Sequence, residues 1–211
     1  MWIERSEEES MENRPMRERA RSLPLVTCTL IAVNVLVYIV LELFGSTENG
    51  YYMWLHGALY APSVLTDGEY YRLLTAAFLH FGASHLMNNM LMLYIMGERL
   101  ERAVGRVRML VIYLFSAVAA NAFTVFFYTV TGTDAISAGA SGALMGVIGA
   151  FLAVLLRRRG TVGGVGRRQM LVLVAITLYS GFISGTTNNA AHISGLVFGF
   201  LLGLVLVWRK R

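Results

Sequence analysis

Two residues in the second half of the chain could together hydrolyse an amide bond. Ser141 lies in the small-residue run Gly139-Ala140-Ser141-Gly142, and His192 lies further along the chain. A serine hydroxyl is a poor nucleophile until a base removes its proton, and a neutral imidazole can do this near neutral pH. The same imidazole can return that proton to the leaving amine. A serine between small residues is also typical of close helix packing in membranes, so the motif alone leaves both interpretations open.

A second pair of polar residues could stabilise the oxyanion that such a reaction forms. His85 and Asn89 are four residues apart, which places them on one face of a helix. Together with the backbone N–H groups at the start of a helix opening at Ser141, they are predicted to form the oxyanion hole. Hydrogen bonding between neighbouring helices is the alternative role for this pair. The adjacent Asn88 is predicted to point elsewhere.

Membrane helices must position these side chains. The chain has 211 residues, of which 56% are hydrophobic and only 15% charged, too apolar for a soluble domain of this size. The apolar segments predict an all-α, polytopic bundle of six transmembrane helices. Their predicted ranges are residues 23–44, 86–100, 109–130, 141–156, 170–183 and 190–208.

The positive charges predict how this bundle is oriented. Every Lys and Arg except Arg72 falls in the N-terminal tail, in the connections that follow the second and fourth spans, or at the C-terminus. Cytoplasmic segments carry an excess of positive charge, so both termini are predicted to be cytoplasmic and the Ser141 and His192 ends of their spans to face outward. The basic residues do not form a stripe with interleaved aromatics, so no nucleic-acid partner is predicted. No metal or other cofactor is predicted.

Small residues explain how Ser141 and His192 could meet. Gly195, Gly199 and Gly203 recur every four residues and leave one face of the last span as bare backbone. Close packing of this face on the fourth span would place the two helix starts side by side. Among the outer carboxylates, Asp67 and Asp134 lie in loops, so a serine–histidine dyad is predicted rather than a triad.

In this order along residues 24–208, the motifs resemble those of the rhomboid family of intramembrane serine proteases. Tyr71-Arg72 is similar to the family's aromatic–arginine pair, and Leu74-Thr75 through Phe78-Leu79-His80 follows it. His85 to Asn89 resembles the oxyanion element. Gly97, Glu101 and Gly105 resemble the family's turn after the second span. The nucleophile motif is matched by Gly139 to Gly142. The base motif is matched by Ala191-His192-Ile193-Ser194-Gly195 with Gly199.

The resemblance implies a serine endopeptidase of the minimal six-span bacterial type that cleaves transmembrane segments of other proteins. Composition and charge predict a polar cytoplasmic tail (residues 1–23) and a basic cytoplasmic C-terminus (209–211), and the resemblance covers a rhomboid membrane domain between them (24–208). The expected location is the bacterial inner membrane, and the expected partners are lipids and membrane-protein substrates.

One position departs from the family pattern. Met145, one turn after the serine, replaces an aromatic residue that often stacks on the catalytic histidine. A thioether can pack against imidazole, so an altered histidine orientation or activity is expected rather than inactivity. A non-catalytic relative that binds helices without cutting them, and a transporter or channel, are the competing functions. The presence of both Ser141 and His192 disfavours the first, and the lack of paired charges along the spans disfavours the second.

Overall fold

A computed structural model describes residues 23–158, 160–185 and 187–207 of the chain. Nearly all of the predicted tail, 1–23, and the whole of the predicted C-terminus, 209–211, lie outside the described residues, so these domain boundaries stay predictions. Within the described ranges the protein is a bundle of helices without a β-strand; two isolated backbone bridges, Leu59 with Ser137 and Val162 with Val165, are its extended pairings.

Long helices form the bundle and short ones fold the first loop. The long helices are α1 (Leu25–Phe44), α7 (Arg106–Thr131), α8 (Ser141–Arg157), α9 (Arg167–Ser184) and α10 (Asn189–Leu206). The second predicted span is α5 (Gly82–Met92), a π-helical turn (Leu93–Gly97) and α6 (Glu98–Val104). The first loop carries α2 (Gly50–Leu55), α3 (Ala61–Leu65), α4 (Arg72–Thr75) and a 3-10 turn (Ala76–Phe78).

Three of these helices are long and apolar enough to cross a membrane. They are α1, α7 and α10, whereas α8 is apolar but has only 17 residues. The second predicted span is interrupted by its π-helical turn, and α9 is not among the three. An all-α membrane bundle is therefore confirmed, while the number of six spans stays a prediction.

Helix α8 forms the centre of the bundle. It is buried on almost every side, as expected of a helix that is apolar all round. Its closest neighbour is α10, and glycines bring the two backbones together: a Cβ on Gly199 would overlap the backbone of Gly146, and one on Gly195 would overlap that of Gly142. Residues 195, 199 and 203 are all buried in this contact, so the predicted bare face of the last span is confirmed.

The first loop is held together by the one arginine that the charge pattern left on the outer side. Arg72 is buried, and its guanidinium donates to the carbonyls of Trp54 (2.6 Å) and Ala58 (2.8 Å) and to Glu69 Oε2 (2.6 Å). The Trp54 and Tyr71 rings lie 5.7 and 5.4 Å from the guanidinium carbon. Such hydrogen bonds and cation–π contacts order the loop together with two small apolar clusters, to which Met53, Leu59 and Val64 contribute.

At the other end of the bundle, Glu101 ties α6 to the start of α1. Its buried carboxylate accepts hydrogen bonds from the backbone N–H of Val26 (3.1 Å) and of Thr27 (2.8 Å) and from the Thr27 hydroxyl (2.8 Å). These N–H groups belong to the first turn of α1, where an anion satisfies unpaired donors and complements the helix dipole. The sequence marked Glu101 only as part of a turn.

Replacing Glu101 with alanine is therefore expected to destabilise the fold by about 2–3 kcal/mol, because two buried donors of Thr27 and the half-buried N–H of Val26 lose a charged acceptor. Thermal unfolding in detergent measures this loss. Glu98→Ala is the matched control, since its ion pair with Arg102 is partly exposed and contributes about 0.5 kcal/mol or less. Equal melting temperatures for the two variants would contradict the proposed anchoring role.

Candidate active site

Ser141 is the first residue of α8, and the segment before it is fixed by backbone hydrogen bonds to the first loop. Ser137 exchanges two with Leu59 (2.8 and 2.9 Å), and the Gly139 N–H donates to the Ala76 carbonyl (2.8 Å). Gly139 has a φ of +141°, which side chains other than hydrogen rarely allow. The first loop thus determines where the N-terminus of α8, and with it Ser141, is held.

His80 adds a side-chain contact to the same segment. Its Nε2 accepts the backbone N–H of Ala140, the residue before Ser141, at 3.3 Å. Burial, followed by the nearby His85, lowers the pKa of His80 to about 3, so the ring is neutral and its Nε2 can act as an acceptor at physiological pH. The sequence places His80 just before the second span, on the same face as Ser141 and His192, but nothing local indicates its contact with Ala140, sixty residues away.

His85 and Asn89 approach the backbone that leads into Ser141. A Cβ placed on Gly139 would lie 2.7 Å from His85 Cε1, 2.9 Å from His85 Nε2 and 3.8 Å from Asn89 Nδ2. The Asn89 Nδ2 is buried and has no partner among the described residues. An N–H donor without a partner beside the candidate nucleophile suits an oxyanion hole better than it suits a completed contact between helices.

His192 lies in the first turn of α10 and is buried. Asn188 caps this turn, since its Oδ1 accepts the Ala191 N–H at 2.9 Å. The Asn188 Nδ2 donates to Ser137 Oγ (3.0 Å) and to Thr124 Oγ1 (3.2 Å). One amide thus joins the helix of the candidate base to the Ser141 segment and to α7. The sequence analysis missed Asn188, although an asparagine before an apolar helix is a recognisable N-cap signal.

A single cavity of about 850 Å³ collects the four predicted side chains. Ser141, His192, His85 and Asn89 all line it, as does Asn88, so the prediction that Asn88 points elsewhere was wrong. Asn88 directly precedes Asn89 and is exposed, and the cavity is wide enough for both residues to line it. The structure therefore brings together every predicted site residue.

The cavity walls carry hydroxyl, amide and imidazole groups but no carboxylate, lysine or arginine from the part of the chain that the structure describes. Asp134, one of the two outer carboxylates, instead interacts with Tyr60 in the first loop and raises the pKa of that phenol. Ser141 and His192 share the cavity without a direct hydrogen bond in the described structure. Catalytic hydrogen bonds are often long before substrate binds and shorten in the complex.

Met145 lies one turn into α8, as the sequence places it. Its side chain is fully buried in the main hydrophobic core and is not part of the cavity wall. The thioether at this position therefore fills the space behind the candidate site rather than its surface. Its effect on the orientation of His192 stays a prediction.

Comparisons with known proteins place this geometry in context. A rhomboid-domain family model matches residues 67–209. Rhomboid protease GluP of Bacillus subtilis is 34% identical over 87% of this chain, and Rhomboid protease AarA of Providencia stuartii is 30% identical over 86% of it. RHOMBOID-like protein 7 of Arabidopsis thaliana is 39% identical over 72% of the chain. The chain spans 35%, 72% and 47% of the lengths of these relatives, respectively.

Proposed function

The chain belongs to the rhomboid family of serine proteases, and on that premise we propose that it is an intramembrane serine endopeptidase. Its substrates are membrane proteins, cut in or near their transmembrane segments. One observation carries the proposal: Ser141, His192, His85 and Asn89 line a single cavity. His85, Ser141 and His192 lie in the first turns of α5, α8 and α10, and Asn89 lies one turn further along α5. Their convergence therefore depends on how these three helices pack.

In the proposed reaction, Ser141 Oγ attacks the carbonyl carbon of the scissile peptide bond while His192 takes the hydroxyl proton. The Nδ1 of His192 is buried, so Nε2 is the ring nitrogen that serves as the base on the cavity side. Collapse of the tetrahedral intermediate breaks the C–N bond, and the imidazolium returns its proton to the leaving amine. Water then hydrolyses the acyl-enzyme, with His192 again acting as the base.

The charge on the tetrahedral oxygen needs donors that are already in place. The side chains of His85 and Asn89 supply two, and the backbone N–H groups at the start of α8 supply others, because the first N–H groups of a helix have no partner within it. Donors held in a fixed arrangement stabilise the oxyanion without reorganising during the reaction.

The depth of the site follows from the length of α8. A helix of 17 residues is about 25 Å long, less than the ~30 Å of a hydrocarbon core. Its Ser141 end would lie below the membrane surface, where the polar-lined cavity could admit water. A transmembrane substrate would have to unwind locally there, because the peptide bonds of a helix are internally hydrogen-bonded.

The proposed orientation places the cavity toward the outer face of the bacterial inner membrane and both termini in the cytoplasm. Described arginines support it, because they lie at the helix ends opposite to Ser141 and His192: Arg102, Arg106, Arg108, Arg157 and Arg167. The proposed partners are the lipid bilayer and substrate helices, and the proposed chemistry uses neither a metal nor a nucleic acid.

Reconstitution tests the proposed function. The full chain is placed in liposomes with a panel of single-span membrane proteins, and the products are mapped by mass spectrometry. Cleavage in or beside the membrane segment is expected for the wild-type protein, and its loss is expected for His192→Ala. Cleavage at the wild-type rate by His192→Ala would contradict the mechanism. A non-catalytic helix-binding role would be favoured if the folded wild-type protein cut nothing in the panel and did not react with serine-directed probes.

The two oxyanion residues are expected to differ in importance. His85→Ala should lower kcat by about 100-fold, whereas Asn89→Ala should lower it by about 10-fold, because His85 and the backbone donors remain. The ring of His85 is also closer to Gly139 than the Asn89 amide is. Measurement of kcat and KM for a cleaved substrate checks both values. Wild-type kcat in both variants would remove the pair from the oxyanion role.

A further inference from the structure

The candidate base has one ring nitrogen that the reaction above does not use. His192 Nδ1 is buried and has no hydrogen-bond partner among the described residues. For Nε2 to accept a proton from Ser141, Nδ1 must carry the ring's hydrogen, and a buried N–H without an acceptor costs free energy. In serine hydrolases with a triad, a carboxylate accepts this hydrogen and orients the ring. Here the described cavity wall contains no carboxylate.

Asn189 carries a matching unused acceptor. It lies three residues before His192, hence on the same side of α10. Its Nδ2 donates to the Gly181 carbonyl of α9 at 3.2 Å, which fixes which end of the amide is the donor. Its Oδ1 is buried and, like His192 Nδ1, has no partner among the residues that the structure describes.

Gly181 brings these two atoms to one place. A Cβ placed on Gly181 would lie 2.6 Å from Asn189 Oδ1 and 3.6 Å from His192 Nδ1, so both atoms border the same small space beside α9. Gly181 is one of only two buried residues that the structure records in α9. A buried donor and a buried acceptor that meet at a glycine are a pair that a small rotation, or one water molecule, can join.

We propose that Asn189 is the positioning residue of this dyad: its Oδ1 accepts the Nδ1–H of His192, directly or through one water, and holds the imidazole in the tautomer that can deprotonate Ser141. The proposal rests on the proposed function and adds a third member to its site. An amide performs this task without a buried negative charge, which would be costly to place between membrane helices. The Gly181 carbonyl holds the amide in turn, so α9 contributes to the geometry of the base.

The test is the pH dependence of serine labelling, which needs no knowledge of the substrate. The second-order rate of labelling by a fluorophosphonate is measured for the purified full chain across pH. For Asn189→Asp, the acid limb of this profile is expected to move up by about one pH unit, because a carboxylate beside the ring stabilises the imidazolium. Besides His192, the titratable side chains among the described cavity residues are His85 and Tyr128, and both are unchanged in this variant.

Asn88→Asp is the matched control, because it introduces the same charge at an exposed position on the wall of the cavity that His192 lines. Its acid limb is expected to stay within about 0.3 pH unit of the wild-type limb, since solvent screens an exposed charge. An Asn189→Asp limb that coincides with the wild-type limb, or an equal shift in Asn88→Asp, would overturn the proposal.

A second variant decides the matter if Asn189→Asp does not fold. Asn189→Ala is expected to reduce the labelling rate per folded molecule about 10-fold, with an unchanged concentration of probe at half-saturation, because it misplaces the base without altering the probe site. An undiminished rate per folded molecule would overturn the role of Asn189. Failure of the proposed function is distinct, because wild-type protein would then show no Ser141-dependent labelling at any pH.

Discussion

Replacing Ser141 with alanine is expected to abolish labelling by fluorophosphonates and to reduce proteolysis of a transmembrane substrate by at least about 10⁴-fold. The covalent step requires the Ser141 oxygen, which lies at the start of α8, two residues after the glycine that His85 and Asn89 approach. The fold should tolerate the change, because alanine is a good helix former and the hydroxyl is not recorded in any hydrogen bond of the described structure. Labelling followed by mass spectrometry and a cleavage assay in liposomes measure the two effects.

Ser194→Ala is the control for this variant. Ser194 is a buried serine on the helix of the candidate base, and its hydroxyl donates to the Ala190 carbonyl of the same helix at 2.6 Å. Labelling and cleavage should persist in this variant. Cleavage by Ser141→Ala at more than about a tenth of the wild-type rate would show that another nucleophile does the chemistry.

The second large effect is expected for Gly199→Val, and it concerns folding. A Cβ at residue 199 would overlap the backbone of Gly146 in α8, which cannot give way as a flexible side chain can. Separating α8 from α10 to admit the valine would also separate Ser141 from His192. We expect a loss of stability of about 3 kcal/mol or more, seen as a fall of about 10 °C in the melting temperature in detergent.

Val205→Ile is the matched control, since it enlarges a side chain of the same helix that is 68% exposed and would face lipid. Its melting temperature should remain within about 2 °C of the wild-type value. If Gly199→Val unfolded at the wild-type temperature, the close α8–α10 contact would be wrong. If its remaining folded fraction labelled at the wild-type rate, the contact would be structural without being needed for chemistry.

The helices and the candidate site residues were largely predictable from the sequence, because both depend on local signals. Apolar runs predicted α1, α7 and α10 to within a few residues, and the four-residue glycine repeat predicted which face of α10 meets α8. The types of Ser141 and His192 made hydrolysis through an activated serine the leading hypothesis for the chemistry. The π-helical turn at Leu93–Gly97 was not predicted, because no residue type encodes it distinctly.

Contacts between distant segments were not predictable in the same way. Three contacts join residues that are far apart in sequence. Glu101 accepts N–H groups at the start of α1, His80 accepts the Ala140 N–H, and Asn188 donates to Ser137 and to Thr124 of α7. Their roles depend on angles and distances that a linear pattern does not contain. The same is true of Asn88, which was excluded from the site because of its position on the helix relative to Asn89. The cavity is wide enough that both residues line it.

The sequence by itself determined that this protein is an all-α membrane protein with a serine and a histidine suited to hydrolysis, since hydropathy and side-chain chemistry are properties of residues. Only the tertiary structure decided that Ser141, His192, His85 and Asn89 share one cavity, and that Asn189 and His192 meet at Gly181. The physical reason is that a site is a set of distances between helices. Those distances depend on how closely two helix backbones can approach each other. A glycine such as Gly199 or Gly181 permits a close approach, but the sequence does not show which helix will pack against it.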